Sequence, residues 1–319
     1  MATESNANIA AMAPGTGVIH DIGYQTYDGP RLGRRAITAA LCWHSLRSAF
    51  GIGRGAKAKI IPVITFVIMC APAVVNAVAM ALGRSSTRVV SYDAYVGVLR
   101  VLVLLVFIAA QAPELVSRDL RSHVLPLYFA RPIRRRDYPV AKYAAFVLAL
   151  LAMIDIPVLL LYVGTILQVH GGAAIWAQTR AVVPGLLVGL MWAVVLAAVG
   201  LALACVSGRR AFATGSVAIF LFMTWTLTTV LTKIVRTTGP HGTGAHLSSA
   251  QQVSAAEHLF GLISPFTVLD GVRQWLGGTS QGIVADPGGY GPVYGVMLLV
   301  FLGVGLAALV RRYASVSIS

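Results

Sequence analysis

Residues 181–208 read AVVPGLLVGLMWAVVLAAVGLALACVSG, 28 positions without a charge. Crossing the roughly 30 Å hydrocarbon core of a bilayer takes about 20 apolar helical residues, so this stretch spans one with turns to spare. In lipid every backbone polar group needs an internal partner, which leaves helices and closed barrels as spanning structures. A barrel strand alternates polar and apolar side chains, and this block of Leu, Val and Ala does not. It is a membrane helix.

The chain around it repeats the pattern. Residues 60–82, 211–232 and 288–310 are also free of charge, and two further apolar stretches carry isolated ones: 96–116, with Arg100 and Glu114 near its ends, and 143–169, with Asp155 inside. Six spans result. The 319 residues are 57% hydrophobic and 11% charged, against about 25% charged in ordinary soluble domains. That excludes a disordered chain and argues against a soluble enzyme. The net charge of +14 would suggest nucleic acid in a soluble protein; in a membrane protein it sets topology. Eighteen Lys and Arg fall in the segments before span 1, between spans 2 and 3, between spans 4 and 5, and after span 6; six fall in the alternate segments. By the positive-inside rule both termini are cytoplasmic. The first twenty residues show no basic region followed by an apolar run, so no cleavable leader is expected. Cys42, Cys70 and Cys205 have no CxxC spacing and are an odd number, which excludes a fully paired disulfide framework.

Between the spans, residues 1–33 form a cytoplasmic arm, and residues 34–56 read as a basic amphipathic helix lying in the inner-leaflet interface, with Trp43, Leu46 and Phe50 spaced along it and Arg47 among them. The run GIGRGAKAK at 51–59 has neither GK[ST] nor a preceding strand, so it binds no nucleotide. The cytoplasmic loop 117–142 is the most informative segment. Glu114 closes the span, Arg118, Asp119 and Arg121 alternate in sign, Leu125, Leu127, Tyr128 and Phe129 make an apolar patch, and Arg131-Pro132 turns the chain into the basic cluster Arg134, Arg135, Arg136 and Lys142. Topology needs only the positive charges. The apolar patch asks for burial against the N-terminal helix or a partner protein.

This loop resembles the segment after the second span of ABC type-2 transport permeases, whose pattern is roughly an acid, then R-x-x-G-T-L-x-L-L-L-x-R-P, then S-R-x-x-x-x-x-K. Residues 118–127 match the first part, Ala130-Arg131-Pro132 the middle, and Arg135, Arg136 and Lys142 the end; Ser122-His123-Val124 stand where Gly-Thr is usual. The arm at 19–34 is similar to the opening of actinobacterial-type permeases of this kind, and Ser264-Pro265-Phe266 followed by Leu269-Asp270-Gly271-Val272-Arg273 resembles the element before their last span. The resemblance implies an all-α permease domain at 57–312 with an N-terminal interfacial helix and a short coupling helix between spans 2 and 3. It implies a second permease subunit, identical or different, and a separate cytosolic ATPase that binds ATP and Mg, with no cofactor in this chain. Glu114, Arg118, Asp119 and Arg121 would make polar contacts with that ATPase, and Leu125, Leu127, Tyr128, Arg131 and Pro132 would anchor the coupling helix. The expected function is an exporter subunit in the plasma membrane, its charges meeting lipid and an ATPase rather than nucleic acid.

Other residues bear on rival readings. Asp155 is the acid well inside a span, a candidate intramembrane polar site or a locally paired group beside Pro157. Arg100 is expected to snorkel outward. In the extracellular loop 233–287, His241, His246 and His258 with Glu257 have no compact ligand spacing. Residues 259–275 read as one or two short helices or a re-entrant hairpin broken at Pro265, a candidate outer gate with Pro265, Phe266 and Trp275. A stand-alone secondary transporter would want more midplane ionisable groups or repeats. An intramembrane enzyme would want HExxH or acids or histidines paired at helical spacing within the spans, which are missing from the chain. A scaffold without transport remains the other alternative.

Overall fold

A computed structural model of the chain describes Gly29 and residues 33–83, 90–95, 97–121, 134, 136–206, 209–238, 255–279 and 287–314, without the side chains of residues 117–121, 236–238 and 255. Apart from Gly29, these belong to the compact unit Gly33–Ser319. Among the described residues there is no strand, and the helices in chain order are α1 (Arg34–Ala49), α2 (Lys57–Ala81), α3 (Gly97–Arg121), α4 (Asp137–Ile166), α5 (Gly172–Cys205), α6 (Arg210–Thr238), α7 (Ala255–Gly261), α8 (Pro265–Trp275) and α9 (Gly291–Ala314), the last preceded by a 3-10 turn at Gly288–Tyr290.

Six helical stretches are long and apolar enough to cross a membrane: Lys57–Ala81, Gly97–Val116, Asp137–Ile166, Gly172–Cys205, Arg210–Val235 and Gly288–Ala314. The protein is an all-α, multi-pass membrane protein. Its third and fourth spans begin earlier than the uncharged stretches do, at Asp137 and Gly172. Lys142 and Arg180 do not break them, because each lays its charge over an aromatic ring one turn back, Lys142 over Tyr138 and Arg180 over Trp176, both at 5.5 Å. Prolines sit inside α2 (Pro62, Pro72), α3 (Pro113), α4 (Pro157) and α5 (Pro184), where neighbouring groups take up the freed backbone atoms. In α2 the Tyr95 hydroxyl donates to the Met69 carbonyl at 2.7 Å and accepts from the Ala73 N–H at 3.2 Å, bridging two groups that an unbroken helix bonds to each other.

Spans α3, α4 and α5 form the centre: 67, 50 and 56% of their apolar windows are buried, against 22, 17 and 17% for α2, α6 and α9. The outer helices leave Val67, Val75, Ile219 and Leu299 exposed, the faces that lipid covers. α4 packs on α5, α1 and α2; α3 packs on α6, α5 and α2; α9 packs on α5 and α8. A run of rings, Phe50 on Phe107 at 6.1 Å and Phe107 stacked on Phe146 at 6.4 Å, joins the end of α1 to α3 and α4.

That contact revises the interfacial helix. It ends at Ala49 rather than 56, and Gly51 follows at φ +70°, folded so close to the backbone of Ala58 that a Cβ would collide with it. α1 buries Leu41, Ser45 and Ala49, with Leu46 and Phe50 partly covered by the core, while Trp43 is 62% exposed. The residues expected on one face divide between two: Leu46 and Phe50 turn to the bundle, Trp43 and Arg47 away from it. Small residues at 45 and 49 let the helix lie against α4 and α3, so it has a core to join, the bundle itself.

Candidate functional site

Polar side chains gather at three levels. At the α1 end, Arg34 grips Asp137 with two bonds, Nε to Oδ2 and Nη2 to Oδ1, both 2.5 Å. The Arg134 N–H also donates to Asp137 Oδ2, at 3.0 Å. One carboxylate at the start of α4 thereby holds α1 and Arg134, just before α4 begins. Nearby, Glu114 is 5% exposed and lies between Arg54, at 2.5 Å, and Arg210, at 3.1 Å. Glu114, expected to contact an ATPase, here fastens the lead-in of α2 and the start of α6 to α3. Helix α3 runs on through Arg121, so Arg118, Asp119 and Arg121 belong to its last turns, their side chains outside the description. Leu125, Leu127, Tyr128, Arg131 and Pro132 lie outside the described residues altogether.

At mid-bundle, Arg100 is 2% exposed, with its guanidinium 4.2 Å from the centre of the Trp192 ring. This overturns snorkelling. α3 starts only at Gly97 while α5 begins 20 residues before Trp192, so the first turn of α3 lies within the bundle rather than at its rim. Arg100 has no hydrogen bond or ion pair among the described residues, and its Nε is buried without a partner. It lies in the combined field of Asp270, Asp93 and Asp155, opposed by Arg273. Asp155 presses its carboxylate onto Gly189 of α5, where any Cβ would collide with Oδ1, and Oδ1 is buried without a hydrogen bond. Trp192, fully buried, also meets Phe266, ring centres 6.0 Å apart. A buried cation, a buried carboxylate oxygen and a wall of indole and phenyl rings thus share the centre of a membrane bundle. Such groups are costly in lipid unless something polar comes to them.

At the opposite end, where residues 259–275 read as one or two short helices or a re-entrant hairpin, the chain forms α7, which starts earlier at Ala255, and α8, opened by Pro265. Helix α8 packs against α5, α6 and α9, and its residues 265–274 are buried. Pro265 and Phe266 are its inner end. Trp275 is 45% exposed at its outer end, its ring against Gly291 of α9. Arg273 is 1% exposed and organises this level. Its Nε donates to Asp270 Oδ1 at 2.9 Å, and its Nη1 donates to Asp93 Oδ2 at 2.6 Å and to the Thr279 carbonyl at 2.8 Å. Gln274 donates to the other Asp270 oxygen at 3.1 Å. Asp93 also accepts from the Thr279 N–H at 2.6 Å and hydroxyl at 3.0 Å. Burial pushes the Asp93 carboxyl up, but the Thr279 donors and the Arg273 charge outweigh it and hold the group below the usual carboxylate range.

Asp93 and Arg273 escaped the sequence reading because they are 180 residues apart and each reads alone as a loop charge. Arg34 and Asp137 escaped it for the same reason. Of the histidines, His241 and His246 lie outside the described residues; His258 is buried and stacks on Tyr290 at 4.6 Å. Among the described residues no three His, Cys, Asp or Glu side chains come together as a metal site requires. Compared with known proteins, the chain matches no protein-family model and no curated protein.

Proposed function

We propose that the chain is the permease subunit of an ATP-driven transporter, working as a dimer in the plasma membrane in the export direction. The sequence segments before span 1, between spans 2 and 3, between spans 4 and 5 and after span 6 carry the eighteen basic residues of the cytoplasmic count, so in this reading the α1 end faces the cytoplasm, with both termini. The observation that carries the proposal is the Arg34–Asp137 clasp with the Arg134 N–H on the same carboxylate. An ATPase pair pushing on loop 117–142 moves the end of that loop, α1 and the head of α4 together. Because α4 is packed along α5 and α2, the push reaches the centre of the bundle as a rigid-body displacement.

In this mechanism the cargo path runs beside Arg100, Asp155 and Trp192 and is closed at the far end by α8. The Asp93–Arg273 bridge fastens α8 to the segment before α3, so the closed state is held by a few polar contacts that a shift of α3 relative to α8 breaks. Energy comes from ATP bound by the partner.

The test is isolation of the full-length chain from native membranes in mild detergent, with assay for a GxxxxGK[ST]-bearing partner. Charge reversal at Arg118 or Arg121 is expected to remove that partner or its coupled hydrolysis. A complex with full activity after both reversals overturns the coupling assignment. The second reading, ion-coupled transport by the chain alone, draws support from Arg100 Nε and Asp155 Oδ1, buried without a hydrogen bond among the described residues; transport by the purified chain in vesicles without ATP would favour it.

A further inference from the structure

Between the start of α2, the start of α6 and the second half of α3 lies a cleft of about 340 Å3. Arg54, Lys57 and Arg210 line it, with Ala110 and Gln111 of α3 and Ile61 of α2. Among the described residues, the carboxylate bound to this group is Glu114, shared by Arg54 and Arg210, so three cations there face the cleft against one acid. Lys57 has no ion pair among the described residues. Gln111, 5% exposed, is one of the lining residues. An amide side chain beside a cationic cleft can donate to an anion seated there. The head of α2 adds its own partial positive charge, since Ala56 supplies no side-chain cap.

The depth and surroundings of the cleft identify the anion. Two spans, Lys57–Ala81 and Arg210–Val235, begin at its wall, and a third, Gly97–Val116, ends just beyond its floor. It therefore lies at headgroup level. From there the surface turns apolar: Ile60, Ile61 and Ile64 on α2 are 52, 41 and 52% exposed, and Phe212 on α6 is 64% exposed. A soluble phosphate has no use for that flank, whereas acyl chains do.

We propose that this cleft seats the headgroup of an anionic phospholipid. Its phosphate sits among Arg54, Lys57 and Arg210, the Gln111 amide donates to it, and its chains lie along the outer faces of α2 and α6. The bound lipid shields Arg54 and Arg210 from each other and thereby stabilises the Glu114 junction of α2, α3 and α6.

The experiment is native mass spectrometry of the full-length chain in mild detergent, offered equal amounts of phosphatidylglycerol and phosphatidylcholine. The wild-type chain is expected to retain phosphatidylglycerol at least about tenfold better. The variants Lys57→Gln and Gln111→Leu are each expected to lower that retention about fivefold, while Arg35→Gln, on the exposed face of α1, leaves it unchanged. Short-chain phosphatidylglycerol, but not inorganic phosphate at the same concentration, is expected to displace the bound lipid. Equal retention of the two lipids by the wild-type chain, unchanged retention in both variants, or displacement by inorganic phosphate as efficiently as by the short-chain lipid overturns the proposal. The wild-type discrimination stands as a test even where a variant fails to fold.

Discussion

Asp137 at the head of α4 is held from two directions, by the Arg34 guanidinium at 2.5 Å and by the Arg134 N–H at 3.0 Å. The first contact belongs to the N-terminal helix and the second to the end of the long loop before α4. Two segments that the sequence presents as separate cytoplasmic features thus share one carboxylate.

The pair tests itself by exchange. Arg34→Asp puts two carboxylates together and is expected to lower transport-coupled hydrolysis severalfold, whereas Arg34→Asp with Asp137→Arg restores most of it, because the exchange remakes the pair in reverse. The measurement is ATP hydrolysis by the assembled complex in vesicles. Equal rates in the single and double variants would mean that the clasp transmits nothing.

At the other end, Asp93→Ala leaves Arg273 buried with one of its partners gone. Loss of one member of a buried pair costs about 3 kcal/mol or more, visible as a fall in the detergent melting temperature. Replacing both, Asp93→Ala with Arg273→Met, is expected to recover part of the loss, since no buried charge is then stranded.

The same carboxylate gives a pH signature. Its folded-state value is lowered, so its stabilisation is fully present above the ordinary carboxylate value of about 3.9 and is lost as pH falls below that toward the lowered value. Stability is therefore expected to be insensitive to this group from pH 7 to pH 5 and to decline below about pH 4. Asp93→Asn should flatten that acid limb, measured by thermal melts at stepped pH.

Gly189 and Gly215 form a matched control. A Cβ at Gly189 meets the Asp155 carboxylate, while one at Gly215 meets nothing within 4 Å. Gly189→Ala is expected to destabilise by about 1–3 kcal/mol, and Gly215→Ala to be neutral or stabilising by up to about 1 kcal/mol. If Gly189→Ala is silent, Asp155 is not seated on α5 as described.

Arg100 separates stability from function. A buried cation with no hydrogen bond among the described residues costs folding energy, so Arg100→Met is expected to leave the melting temperature unchanged or raise it while transport falls. A drop in stability with transport retained would assign Arg100 a purely structural role on Trp192.

The six spans were legible because lipid imposes a single demand, a long apolar run with few or no charges, and the chain meets it six times. Their edges were not legible at Lys142 and Arg180, since a lone cation over a neighbouring ring costs a helix little. The short helices α7 and α8 were legible from Pro265 and the apolar spacing around it. Pairings were not: Arg273 with Asp93, Arg34 with Asp137 and Glu114 with two arginines depend on which helices touch, and no local pattern encodes that. Arg100 misled for a related reason. Its place near the end of an apolar stretch signals a rim position only when neighbouring spans start at the same height, and α5 starts well beyond α3.

The most direct test of the account is Mg-ATP hydrolysis by the full-length chain purified from native membranes, assayed in parallel with Leu127→Ala and Tyr128→Ala variants. The account predicts a co-purifying ATPase whose activity falls in both variants while the chain stays folded and in the membrane. Transport driven by an ion gradient through the chain alone, with no ATPase attached, would contradict it.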